Sequence, residues 1–180
     1  HNYATSGVYI CKISGTFQGF NFNNAGDRLK LISIEQQGAV VLNATQTAAF
    51  YGCANLVYAN LNLANLTVAN NMFRNCSKLE YITGASFSLV SNAADMFNAA
   101  PRLYGLESAT FDSVTNGSGA FRDCTSLVTL PLATFSSLTL GDSVFSGCNK
   151  LQSLPLATFS SLTDGTSAFN NTDRKSAVQG

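Results

Sequence analysis

Thiols, one imidazole and a few isolated carboxylates are the groups in this chain that could do chemistry, and their spacing points away from catalysis. Cys53, Cys76, Cys124 and Cys148 each lie three residues after a phenylalanine: Phe50, Phe73, Phe121 and Phe145. In the unit that starts at Phe97 the same column holds Ala100. A column that accepts Cys or Ala wants a small apolar group, so the expectation is a ladder of buried thiols. A Cys124–Cys148 bridge is the alternative, since stacked strands lie about 4.8 Å apart. Cys11 stands outside this pattern. His1 is the one histidine and no C-x-x-C occurs, so neither a metal site nor a cofactor is expected. No Ser/His/Asp set can be assembled away from His1, and no Gly-rich phosphate loop follows a strand. The chain therefore reads as a non-enzyme.

The phenylalanines place these residues. Phe73, Phe97, Phe121, Phe145 and Phe169 recur every 24 residues, and Phe50 precedes Phe73 by 23. The units from Phe121 (F-R-D-C-T-S-L-V-T-L-P-L-A-T-F-S-S-L-T) and from Phe145 (F-S-G-C-N-K-L-Q-S-L-P-L-A-T-F-S-S-L-T) nearly coincide. A fixed period of this size marks stacked repeats, each unable to bury its apolar face alone. The expected fold is a repeat solenoid, mainly β with short helical turns, in leucine-rich-repeat coils of about 24 residues.

Within a unit, Phe121, Cys124, Leu127, Leu130, Leu132, Phe135 and Leu138 form the apolar set, repeated as Phe145, Cys148, Leu151, Leu154, Leu156, Phe159 and Leu162. The alternation at the end of L-x-x-L-x-L predicts a short strand with those leucines inward. The A-T-F-S-S-L-T segment predicts an opposite wall. Small residues before each Phe (G-D-S-V-F, A-A-D-M-F) predict a tight turn into one helical turn. Gly84 and Ser108 replace the third strand aliphatic in their units, and Leu61, Leu63 and Leu66 are shifted in the short unit from Phe50.

Three regions follow. Residues 1–49 are expected to form an N-terminal hairpin and a capping coil. The hairpin would use Val8, Ile10, Ile13, Phe17, Phe20 and Phe22, turning near Ser14-Gly15 or Gln18-Gly19. The cap would use Leu29, Ile32 and Ile34 in imitation of the strand leucines. Residues 50–169 form five coils. Residues 170–180 are a polar tail that offers no obvious cap, which suggests a piece of a longer protein or an end open to homotypic assembly.

Formal net charge is zero and 11% of residues are charged, against roughly 25% in an ordinary domain. No basic stripe supports nucleic-acid binding, and no apolar run approaches the roughly 20 residues of a membrane span. A polar surface built from Asn, Ser and Thr reads as extracellular.

At the motif F-x-x-C-x-x-L-x-x-L-x-L-x-x-F-x-x-L, residues 50–169 resemble the BspA-like (Treponema-type) leucine-rich repeats of bacterial and protist surface proteins. Met72-Phe73-Arg74-Asn75-Cys76-Ser77-Lys78-Leu79 is also similar to the opening of the mycoplasma lipoprotein surface repeat. The resemblance implies a secreted or surface-anchored protein, with several members acting as adhesins and similar repeats found in phage tail proteins. It brings no catalytic residues. The chain departs from the pattern at Ala100, Ser108 and Gly84.

A repeat stack binds through its curved strand face. The outward positions there carry Tyr58, Tyr81 and Tyr104 on successive units, with Glu80, Glu107 and Asn60 beside them. Tyrosine suits recognition of both proteins and sugars, so these six residues are the candidate ligand site for a host or cell-surface protein or glycan. Two other readings compete. One is a structural spacer or assembly segment of a larger surface or phage tail protein. The other is an ice- or crystal-binding array on the columns Thr110/Thr134/Thr158, Thr115/Thr139/Thr163 and Ser113/Ser137/Ser161, although such ladders also arise where hydroxyls satisfy one another across strands.

Overall fold

A computed structural model describes residues 5, 7–13, 18–35, 42–106 and 108–172. Its organising feature is the way the segment around each periodic phenylalanine shares out its amides. The amides of Ala48, Phe50 and Gly52 donate to the carbonyls of Asn70, Met72 and Arg74 in the next repeat, at 3.0, 2.8 and 2.8 Å. The amides between them, from Ala49, Tyr51 and Cys53, fold back onto Gln46, Ala48 and Phe50. The pattern recurs in register. Asn71, Phe73 and Asn75 donate to Ala94, Met96 and Asn98, and Ser143, Phe145 and Gly147 donate to Thr166, Ala168 and Asn170.

An α-helix would direct every amide along its own axis. Sending alternate amides sideways requires the backbone to reverse hand at intervals. Two residues four apart in each repeat do so: Ala48 and Gly52, Asn71 and Asn75, Asp95 and Ala99, Gly119 and Asp123, Ser143 and Gly147, Ser167 and Asn171, all with φ between 54° and 78°. Gly, Asn and Asp accept this conformation most readily, which accounts for much of the residue choice on this wall. The expected short helical turns are therefore corrected: these segments are runs of hydrogen-bonded turns. Helix among the described residues is confined to one 3-10 turn, Arg28–Lys30.

Strand pairing forms a second wall. β1 (Ser33–Glu35), β2 (Tyr58–Asn60) and β3 (Tyr81–Thr83) make an open parallel sheet in the order β1-β2-β3. The isolated bridges Tyr81↔Gly105 and Thr129↔Ser153 extend this wall. A third line of bridges runs Thr45↔Val68↔Asn92↔Asn116↔Leu140↔Asp164. The result is a leucine-rich repeat fold, mainly extended and almost without helix.

Two phenylalanine ladders fill the interior. Phe50, Phe73, Phe97, Phe121, Phe145 and Phe169 stack with ring centroids 5.2 to 5.5 Å apart. Phe87, Phe111, Phe135 and Phe159 stack at 5.3 to 5.8 Å. The ladders meet edge-on, as where Phe111 faces Phe121 at 86° and Phe135 faces Phe145 at 87°. Rings in the middle of the stack, such as Phe121 and Phe135, thus have like rings against their faces and the other ladder edge-on, the arrangement that ring quadrupoles favour. Burying one such side chain is worth roughly 1.5–3 kcal/mol.

The strand leucines need a second correction. Leu127 and Leu130 are buried, but Leu132 is 43% exposed and Leu156 51%. The chain turns at Pro131-Leu132 and Pro155-Leu156, and the inward place passes to Ala133 and Ala157. Gly84 and Ser108 occupy the same outward turn, so their departure from leucine leaves the core untouched. In the unit from Phe50 this turn is one residue shorter, and Leu61, Leu63 and Leu66 are all buried.

Toward the N-terminus, Leu29 is 49% exposed and Ile32 44%, whereas Leu31 and Ile34 pack on the core. The inward register is therefore Leu31 and Ile34, because the 3-10 turn is inserted ahead of the strand. Phe22 takes the backbone place of a periodic phenylalanine, its amide donating to Ala49 at 3.0 Å, but the Phe20 ring lies nearer Phe50, at 5.0 Å against 6.4 Å for Phe22. Val8, Ile10 and Ile13 are exposed. Ser14, Gly15 and Phe17 of the expected hairpin, and residues 173–180 of the expected tail, lie outside the described residues.

Replacing Phe135 by alanine is expected to cost roughly 3–5 kcal/mol, while Leu132→Ser should stay within about 0.5 kcal/mol. Paired urea denaturation curves would check this, and equal losses would contradict the assignment of inward and outward positions.

Candidate functional site

Strand geometry puts Tyr58 and Asn60 on the outer face, because Ala59 between them is buried, and Ile82 does the same for Tyr81 and Thr83. Pairing sets Tyr58 against Tyr81 and Asn60 against Thr83. The Tyr58 and Tyr81 rings stack at 5.3 Å and 14°. Tyr104 joins differently. Gly105 occupies the register position opposite Tyr81, and the Tyr104 amide donates to the Glu80 carbonyl at 2.9 Å. Tyr104 is thus one position off the column, and its ring leans against Tyr81 at 6.4 Å and 45°. A side chain on Gly105 would collide with the Tyr81 Cβ, so the glycine is what lets Tyr104 reach over. Tyr104 is the most open of the three, 52% exposed.

The fold therefore brings Tyr58, Tyr81, Tyr104, Glu80 and Asn60 onto neighbouring repeats, while Glu107 lies outside the described residues. Glu80 sits 4.0 Å from the Arg102 guanidinium, an exposed pair worth about 0–1 kcal/mol. The corresponding column farther along holds Thr129 and Ser153, which are small.

Sequence reasoning missed Glu35. It pairs in register with Asn60, and its carboxylate accepts a hydrogen bond from the Tyr58 hydroxyl, which pushes that phenol up to about 12. The signal was present: Glu35 directly follows inward Ile34, as Asn60 follows Ala59 and Thr83 follows Ile82.

The threonine columns have a different use. The hydroxyls of Thr115, Thr139 and Thr163 donate to the carbonyls of Ser91, Thr115 and Thr139 at 3.1, 2.9 and 3.0 Å. Ser91 and Thr67 extend the same ladder to Thr67 and Ala44, both at 3.2 Å. Thr134 donates to the Asp112 carboxylate at 2.6 Å. These hydroxyl donors are spent joining repeats.

The thiol column is built in the same way. Cys76, Cys124 and Cys148 donate to the carbonyls of Phe50, Phe97 and Phe121 at 3.1, 3.2 and 2.9 Å. Each carbonyl belongs to the periodic phenylalanine one repeat earlier, which explains a preference for Cys over Ala beyond size. No disulfide joins Cys53, Cys76, Cys124 or Cys148. Burial pushes the Cys53 and Cys148 thiols up to about 12 and raises Cys76 and Cys124 as well. No group of three or more metal-capable side chains occurs among the described residues.

Asp95 ties the turn wall together. Its carboxylate takes Arg74 at 3.2 Å, Arg122 at 3.3 Å and the Asn98 amide at 2.6 Å. Arg74 also lies over the Tyr51 ring at 5.6 Å.

Two measurements check this account. Glu35→Gln should lower the Tyr58 pKa toward the ordinary phenol value, because the neutral amide no longer opposes phenolate formation; a difference titration near 295 nm would record it. Stability from this contact is present below the unfolded phenol pKa and is lost as pH rises through about 12. With a thiol reagent at neutral pH, exposed Cys11 should react quickly, and Cys53, Cys76, Cys124 and Cys148 only as fast as the protein opens.

A family model agrees with this architecture. The model of the BspA type leucine rich repeat region matches in six copies, over residues 16–112 and 43–174. Among solved structures, the crystal structure of a leucine-rich repeat protein of T. pallidum is similar at 24% identity and a TM-score of 0.35, over 67% of this chain and 46% of that one. This chain thus spans about half the length of that protein. No curated protein gives a significant match. The family model spans most of the chain, so this protein belongs to the BspA-type leucine-rich repeat family.

Proposed function

We propose that this chain is an extracellular or cell-surface binding module of adhesin type: a solenoid that recognises a host or cell-surface protein or glycan through its strand face. The observation that carries the reading is the tyrosine ladder. Tyr58, Tyr81 and Tyr104 are gathered on one face, where the rest of the stack uses small residues. Glu35, Glu80, Asn60 and Arg102 add hydrogen-bonding groups around the rings, the mixture of aromatic anchors and polar rim found at recognition surfaces.

A protein partner is favoured over a glycan. Stacked on each other at 5.3 Å, Tyr58 and Tyr81 each cover one face of the other's ring, which leaves less open ring face for a sugar to lie on. Tyr104, tilted and half exposed, is the anchor that could enter a pocket on a partner.

The spacer or assembly reading is the second choice, supported by how much of the surface is spent joining repeats. The ice-binding reading has less support, since the threonine hydroxyls of its central column are donors within the stack.

The test is a binding screen on extracellular-matrix protein and glycan arrays with the chain and its variant Tyr58→Ala/Tyr81→Ala/Tyr104→Ala. A protein hit weakened at least tenfold in a variant that still melts cooperatively is the expected outcome. A hit that survives the triple change would remove the site from this face, and an empty screen would leave the spacer reading in its place.

A further inference from the structure

We infer that the partner of the strand face is an acidic protein segment, extended along the stack, whose carboxylates meet a row of cations beside the tyrosines. This rests on the reading of that face as a binding surface and adds the chemistry of what it binds. The residue just ahead of the first inward leucine of each repeat forms a column: Lys30, Asn55, Lys78, Arg102, Ser126 and Lys150. Ten lysines and arginines spread evenly over a 24-residue unit would put fewer than one at any position. This column holds four.

These cations are exposed and only partly neutralised. Lys78 donates to the neutral Asn55 side chain at 2.9 Å. Neither Lys78 nor Lys150 has a carboxylate within ion-pair distance among the described residues. Arg102 reaches Glu80 only at 4.0 Å, with side chains 60% and 36% exposed, a weak pair that an incoming carboxylate can replace. Lys30 is held by Asp27 at 2.9 Å. The turn wall differs, for there Arg74 and Arg122 share Asp95.

An apolar strip runs beside the cations. One residue past the inward leucine, Ile32, Tyr104 and Val128 are 44%, 52% and 39% exposed. Tyr58 and Tyr81 follow one position farther along their strands. Beyond them Glu35 ends β1 and accepts from the Tyr58 hydroxyl. A partner must therefore bring apolar side chains to the strip and negative charge to one edge of it. Carboxylates set against Glu35 instead would be repelled, which fixes the side on which the partner's acids lie.

A sulfated glycan would satisfy the cations and not the strip. Ile32 and Val128 offer a sugar neither a flat face nor a hydrogen bond, and the Tyr58 and Tyr81 rings each cover a face of the other. Aliphatic and aromatic side chains of a peptide suit both. From Lys78 to Lys150 is three repeat steps, about 14 Å at ~4.8 Å each, which about five extended residues cover.

The test is selection of random dodecapeptides on the full 180-residue chain. The enriched peptides are then measured as free peptides against the chain and two variants. One is Lys78→Gln/Arg102→Gln/Lys150→Gln, which removes charge from exposed positions. The other is Tyr58→Ala/Tyr81→Ala/Tyr104→Ala, and melting establishes that both are folded. Enriched peptides should be acidic with interspersed apolar residues, and each variant should weaken them at least tenfold. Raising salt from about 0.05 to about 0.5 M should weaken them as well. Neutral or basic peptides that need the tyrosines overturn the inference and leave the binding face standing. Acidic peptides that need the cations but not the tyrosines overturn the placement beside the ladder. Peptides indifferent to both variants overturn the inference and the reading beneath it. An empty selection overturns the peptide partner; retention of the chain, but not of the glutamine variant, on immobilised heparin would then assign the cation row to a sulfated glycan.

Discussion

Everything in this molecule depends on alternate amides leaving their own repeat. A backbone that satisfied all its amides locally, as a helix does, would have none to join repeats together. Reversal of φ at two positions per repeat, such as Asn71 and Asn75 or Asp95 and Ala99, frees every second amide for the neighbouring repeat. The phenylalanine stack sits directly on this wall, so the hydrogen bonds and the rings share one register. Each enforces the other: rings about 5.3 Å apart suit the spacing at which repeats can bond, and in-register bonding keeps the rings face to face.

The same demand extends to side chains that look functional. Thiols donate to phenylalanine carbonyls, threonine hydroxyls donate to the preceding repeat, and Asp95 gathers two arginines from neighbouring repeats. These groups stabilise the stack and are fully engaged in doing so. The strand face is different. Its outward side chains contribute little to joining repeats beyond ring contact, so they can vary, and between Tyr58 and Tyr104 they have become aromatic and hydrogen-bonding. A repeat fold separates the two tasks in this way: interior columns are constrained by every neighbour, while the outer face is constrained by whatever it meets.

Much of this was legible in the residues. The 24-residue spacing identifies the stack because a repeat that cannot bury its own face must use its neighbours. Both phenylalanine columns, the small Cys/Ala column and the outward tyrosines followed from that spacing. The errors were equally physical. Leu132 and Leu156 alternate correctly with Leu130 and Leu154 for a strand, but proline at 131 and 155 turns the chain there and puts the leucines outside. Leu29 and Ile32 carry the right spacing in the wrong register, because a 3-10 turn is inserted after Asp27. Small polar residues before each phenylalanine suggested helical turns, and residue type alone does not reveal which amides face a neighbour.

What the sequence determined by itself is the family, the repeat and the composition of each column, since these are periodic properties of one chain and survive without coordinates. The tertiary structure decided which way each column faces and which residues meet across repeats. Tyr104 lies over Tyr81 only because Gly105 leaves room, Glu35 reaches Tyr58 only because β1 pairs with β2, and the threonine hydroxyls are spent only because a carbonyl one repeat away lies within 3.2 Å. All three depend on contacts between residues about 24 apart, and spacing alone does not say which partner is near enough to bond.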